Sequence, residues 1–147
     1  MRDLISTDLF TGVEKTIRIG ISQLMEQGQR ISIISEANLL GVLSIAPLEA
    51  SLIDSNLPFR RRIGNIDYAV PRNSIIIHNN GDAKGVSWDN EKKVLSISET
   101  LSPALSGHLG DDKIGPLTTV AMCHSIAQLI SPSGVLVRKI RPWAISG

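Results

Sequence analysis

The run RISII (residues 30–34) constrains the fold more than any other stretch of the chain. It alternates too little to be half exposed, and a short isoleucine-rich segment bounded by turns suits a strand buried on both faces. Helical patterns flank it. Upstream, TGVEKTIRIGISQLMEQ (residues 11–27) sets Val13, Ile17, Ile21, Leu24 and Met25 at spacings of three and four, with Gly28 placed to end an amphipathic helix. Downstream, residues 38–52 are apolar on nearly all sides, with Asn38 as N-cap and Pro47 as a kink, which predicts a helix packed on the sheet.

The alternation continues. PFRRRI (residues 58–63), SIIIH (74–78) and KVLSI (93–97) read as further strands, and GDAKGVSWDNEKK (81–93) has the turn residues of a small hairpin or an irregular loop. LTTVAMCHSIAQLI (117–130) is helical by its apolar spacing, with Pro116 near its first turn and a Pro-Ser-Gly stop beyond it, and VLVRKI (135–140) reads as a last strand. The expected fold class is α/β, a mostly parallel sheet with helices on both faces and right-handed crossovers. No repeat or internal boundary divides the chain.

Length and charge narrow the function. A chain of 147 residues has the size of one domain. Fifteen basic against fourteen acidic residues leave a formal charge of +1, so no global field draws the protein to nucleic acid or anionic lipid, and any such contact must be local. One cysteine excludes an internal disulfide and fits a reducing compartment. The N-terminus carries charge too early for a signal peptide, and no apolar run is long enough to span a bilayer. These features read as a soluble, cytoplasmic protein. With two Trp, one Tyr and two Phe, the chain has no supply of exposed rings for stacking single-stranded bases.

Individual residues offer several sites. The loop GDAKG (81–85) lacks the glycine spacing and the Lys-Ser or Lys-Thr pair of a phosphate-binding loop, and reads as a turn. Cys123 and His124 are adjacent on a helix, where neighbours do not face each other; the reading is a buried thiol beside a surface or capped histidine. His78, His108 and His124 are too scattered for a zinc site. Asp111 and Asp112 could hold Mg²⁺, with solvated loop charge as the simpler reading. Arg60, Arg61 and Arg62 are the one basic cluster and the first candidates for DNA binding; in a strand, Arg60 and Arg62 share a face and Arg61 does not. A solvated strand edge is the competing reading.

Taken in order, these segments resemble the N-terminal domain of the DHH phosphoesterase family, particularly RecJ-like nucleases. That family places a Ser-His-x-Asp-x-Asp-Gly motif after its first strand. Here SEANLLG keeps Ser35 and Gly41, with Glu36 at the histidine and Asn38 and Leu40 at the aspartates. LIDSNLPF (52–59) resembles the family's approach to the second strand, Asn79, Asn80 and Gly81 its Asp-x-Gly motif, and IGPLTTVAMCHSIAQLI (114–130) its glycine-led helix. The name-giving Asp-His-His falls on Ser98, Glu99 and Thr100.

The resemblance rests on order, spacing and hydrophobic pattern over most of the chain. It implies one degenerate domain over residues 1–147, without the second domain that usually follows. Two-metal phosphodiester hydrolysis needs several carboxylates and histidines. Leu40 and Thr100 cannot replace them, and Asn38 and Asn79 bring oxygens without charge, so no catalytic residue, metal or cofactor is expected. A short, metal-free version resembles the archaeal counterpart of the helicase-activating subunit that works with GINS and the MCM ring. The function implied is a non-catalytic replication scaffold binding GINS and MCM, with weak contact to single-stranded DNA and none to membranes. Two alternatives stand beside it: a divergent phosphodiesterase or nuclease using Glu36, Asp82, Glu99, His108, Asp111 and Asp112, and a regulatory subunit of an active RecJ-like nuclease.

Overall fold

The structure is a computed structural model, and it describes residues 3–26, 28–67, 69–79 and 85–146. Two short 3₁₀ turns, Leu4–Ser6 and Asp8–Phe10, lead into α1 (Glu14–Glu26), β1 (Ile31–Ser35), α2 (Leu39–Asp54), β2 (Phe59–Ile63) and β3 (Ser74–His78). There follow β4 (Val86–Asp89), β5 (Val94–Ser98), β6 (Thr100–Ser106), β7 (Asp112–Leu117), α3 (Thr119–Ile130) and α4 (Val135–Ser146). Gly28, at φ +57°, takes the left-handed conformation just past α1, and its N–H bonds the Met25 carbonyl.

Five strands form one sheet in the order β2-β1-β3-β5-β4, parallel throughout except for β4, which runs antiparallel to β5 at one edge. The class expected from the sequence, α/β with a mostly parallel sheet flanked by helices, is the class observed, but the helices expected on both faces pack on one of them. Strand alternation sends Ile33, Ile75, Ile77, Leu95 and Ile97 into a core shared with Ile17 and Leu24 of α1, Leu48 and Leu52 of α2, and Met122 and Ile126 of α3. On the opposite face Ile34, Ile76 and Val94 make a small apolar patch beneath Ile66 and Val70 of segment 64–73. Serines at positions 32, 74 and 96 share that second face, so a loop suffices to cover it where the larger face takes three helices.

The tail corrects one expectation. VLVRKI is the first part of α4, not a strand. Its N-terminus is capped from a distance: the Asp54 carboxylate, at the end of α2, accepts from the Leu136 N–H at 3.0 and 3.2 Å and from the Val137 N–H at 3.1 Å. These are amides that a helix leaves unpaired in its first turn. Val137 is then buried against Ala50 and Ala127. Asp54→Ala should cost about 1–2 kcal/mol and strip hydrogen-exchange protection from the α4 amides; protection equal to the parent's would show that α4 does not depend on this cap.

Residues 100–117, where the sequence suggests only a loop at Asp111 and Asp112 and a helix starting at Leu117, contain a second, two-stranded antiparallel sheet of β6 and β7. Pro103 and Pro116 conceal it, because proline depresses any strand reading. Both are tolerated: Pro103 lies within the register shift between Ser102 and Leu105, and a two-stranded ladder leaves each strand an unpaired edge. Pro116 thus belongs to β7, and α3 starts later, capped by Thr118, whose Oγ1 accepts from the Ala121 N–H at 3.3 Å.

Candidate functional site

The chain leaves β1 through α2 to β2 on one side and later reaches β3 on the other, which makes the gap between β1 and β3 a topological switch point. Ligands of open α/β sheets bind outside the carboxyl ends of the strands at such a point. Register brings three strand ends together, pairing Ser35 with Ile77 and His78 with Ser98. Just beyond them stand Glu36, Asn38, Asn79, Glu99 and Thr100, so strand positions far apart in sequence meet on one edge of the sheet. Gly81 and Asp82 lie outside the described residues.

These positions are largely occupied with holding the fold. The Asn38 Oδ1 accepts from the Gly41 N–H at 2.8 Å as the N-cap of α2, while its Nδ2 donates to Glu36 Oε2 at 3.1 Å. At the end of β3, Asn79 Oδ1 accepts from Thr119 Oγ1 at 2.7 Å, and Thr119 Oγ1 in turn accepts from Ser44 Oγ at 3.1 Å. A hydroxyl chain thereby ties β3 to α2 and α3 where a charged ligand set would sit. Asn79 Nδ2 is buried with no hydrogen-bond partner among the described residues. Ser98 Oγ donates to the Gly85 carbonyl at 2.8 Å, and Thr100 opens β6. Leu40 is exposed on the first turn of α2. Sequence reading missed Ser44 and Thr119; the Thr118-Thr119 pair just ahead of an apolar helix was the available signal.

At the end of β5, Gly85, Glu99, Thr100 and Leu101 line a cavity of about 500 Å³. Glu99 is the carboxylate on its described lining. His108 and Asp111 sit in the β6–β7 turn and Asp112 opens β7, where Asp111 approaches Lys113 at 3.9 Å. Among the described residues, no three His, Cys, Asp or Glu side chains gather where they could hold one metal ion.

The arginine run divides as strand alternation requires. Arg61 turns toward α2 and pairs with Glu49 at 3.2 Å. Arg60 and Arg62 face the other way: Arg60 Nε donates to Ser32 Oγ at 2.7 Å, and Arg62 Nη1 to the Ala69 carbonyl at 3.3 Å. The three therefore do not act as one patch.

Cys123 and His124 lie side by side on α3, and both are buried. His124 is thus not a surface residue: its Nε2 shares a hydrogen bond with Gln128 Nε2 at 3.4 Å, and its Nδ1 is buried without a partner among the described residues. Burial drives the Cys123 thiol well above its ordinary range, against a hydrogen bond with Ser44 that opposes the shift, and so disfavours the reactive thiolate.

Burial lowers the pKa of both His78 and His124; Arg141 adds to the shift at His124, while Glu36 and Asp67 oppose it at His78. The folded protein resists protonation at these rings, and the unfolded chain does not. Stability is therefore complete above the unfolded value of 6.5 and falls as the pH drops below it. The slope is at most about 1.4 kcal/mol per pH unit for each histidine. Urea midpoints should fall between pH 7 and pH 5, and less steeply in His124→Gln; an equal fall in that variant would remove His124 from the account.

No helix among the described residues is long and apolar enough to cross a membrane. Compared with known proteins, the chain matches no family model, no curated protein and no solved structure.

Proposed function

We propose that the protein is a non-catalytic scaffold of the DNA replication machinery, a degenerate RecJ-like domain that binds GINS and supports the MCM helicase, as its resemblance to the DHH family implies. The observation that carries the non-catalytic part is the hydrogen-bonded edge at the switch point. Asn38 and Asn79, which stand where that family places metal-binding aspartates, spend their oxygens on the Gly41 amide and the Thr119 hydroxyl.

Docking has its own support. Ala46, Ala50 and Ile53 of α2 and Leu136, Ile140 and Trp143 of α4 line a groove of about 370 Å³. Trp143 and Ile53 are more than half exposed in it. Lys139 lies on its lining and Arg138 and Arg141 are exposed on the same helix, which has no acidic residue; Glu49 at the groove is already paired with Arg61. The complementary partner surface is an apolar helix flanked by carboxylates.

The test is calorimetric titration with the cognate GINS proteins. A complex at micromolar concentration, weakened at least tenfold (~1.4 kcal/mol) by Trp143→Ala, is the expected result. No complex at that concentration sinks the reading. The cavity beside Glu99 favours a second reading, a divergent phosphodiesterase. Manganese-dependent cleavage of single-stranded DNA, abolished by Glu99→Gln, would establish that reading instead.

A further inference from the structure

A cavity of about 500 Å³ opens on the second face of the sheet, away from the three-helix core. Ser32 and Ile34 of β1 form its floor, the run Arg60 to Arg62 of β2 one wall, with the Arg61 guanidinium turned away to Glu49, and residues 69–71 before β3 the other. Its volume falls within the roughly 300–1,000 Å³ of small-molecule sites. Both arginines are held in place. Ser32 Oγ takes the Arg60 Nε hydrogen at 2.7 Å, which orients the guanidinium and leaves its terminal nitrogens with no hydrogen bond among the described residues, and Arg62 is tied across the cavity to the Ala69 carbonyl. The described lining contains no carboxylate, since Glu49 serves Arg61 on the far side of the sheet.

A fixed guanidinium matches a phosphate, two N–H groups to two oxygens. The remaining lining is apolar and suits a flat ring. We propose that this cavity binds a nucleoside monophosphate, with the phosphate on Arg60 and the base against the Val70-Pro71 wall. A passing nucleic-acid backbone fits less well, because it needs an open cationic track and this site is concave and local. The site is independent of the GINS-binding reading and lies on the other face of the sheet from α2.

The experiment is calorimetric titration of the full chain with AMP, beside adenosine, inorganic phosphate and a 5′-phosphorylated oligothymidylate. AMP should bind, with adenosine and phosphate each at least tenfold weaker, because each lacks half of the recognised group. Arg60→Gln should weaken AMP at least tenfold and Ser32→Ala should weaken it less, whereas Arg61→Gln should leave it unchanged. Ala69→Glu, at an exposed position on the opposite wall, should abolish binding by placing a carboxylate in the cavity, so two unrelated variants guard against a folding artefact. The proposal is overturned if AMP gives no heat at millimolar concentration, if Arg60→Gln or Ala69→Glu binds AMP as the parent does, if phosphate binds as tightly as AMP, or if only the oligonucleotide binds.

Discussion

Ile75→Ala should destabilise the protein by about 3–5 kcal/mol, the upper range for truncating a buried isoleucine. Ile75 lies in β3, the central strand of the sheet, directly beside Ile33 on β1 and Leu95 on β5, and all three are fully buried in the face that receives the helices. Truncation removes the centre of a row whose neighbours are held by ladders on both sides. Backbone relaxation cannot close the gap, so the cavity term adds to the lost transfer energy. Domains of this kind carry about 5–15 kcal/mol in total, so the loss is a large fraction of it. Urea unfolding with an unchanged slope and a lower midpoint is the expected result. A loss under about 1 kcal/mol would mean that the three-strand row is not packed as described.

Gly41→Ala should destabilise by about 2–3 kcal/mol, although helix propensity alone predicts a gain of up to about 1. The two effects differ in sign, so the experiment decides between them. Gly41 lies in the first turn of α2, and a Cβ there would press on the Glu36 carbonyl and lie 2.8 Å from Ser35 Oγ. That carbonyl cannot move aside cheaply, because it accepts from Ser35 Oγ at 3.1 Å and from the Asn38 N–H at 3.0 Å. The glycine therefore permits the tight passage from β1 into α2 on which the switch-point edge is built. A thermal melt in which Gly41→Ala stabilises would show that the turn is looser than this geometry.

Wherever the signal was local and repeated, the sequence made the fold legible. The spacing of Ile17, Ile21 and Leu24 marked α1, the isoleucine-rich runs marked β1 and β3, and Asn38 marked the start of α2; each lies where it was expected. β6 and β7 were not legible, because Pro103 and Pro116 suppress the strand pattern and are tolerated only by the unpaired edges of a two-stranded sheet. Neither was the site's hydroxyl chain, since Ser44, Asn79 and Thr119 come from three elements and meet only once those elements pack.

The tail shows the same division at a single helix. Its composition alone was compatible with a strand, and the bond that starts α4 comes from Asp54, 82 residues earlier than Leu136. Hydrophobic period and turn residues act over a few positions, so the chain by itself determined the α/β class, most of its elements and the split of Arg61 from Arg60 and Arg62. Capping across elements, the uneven cover of the two sheet faces and the cavity between β2 and residues 69–71 depend on groups brought together only by packing, and those were decided by the tertiary structure.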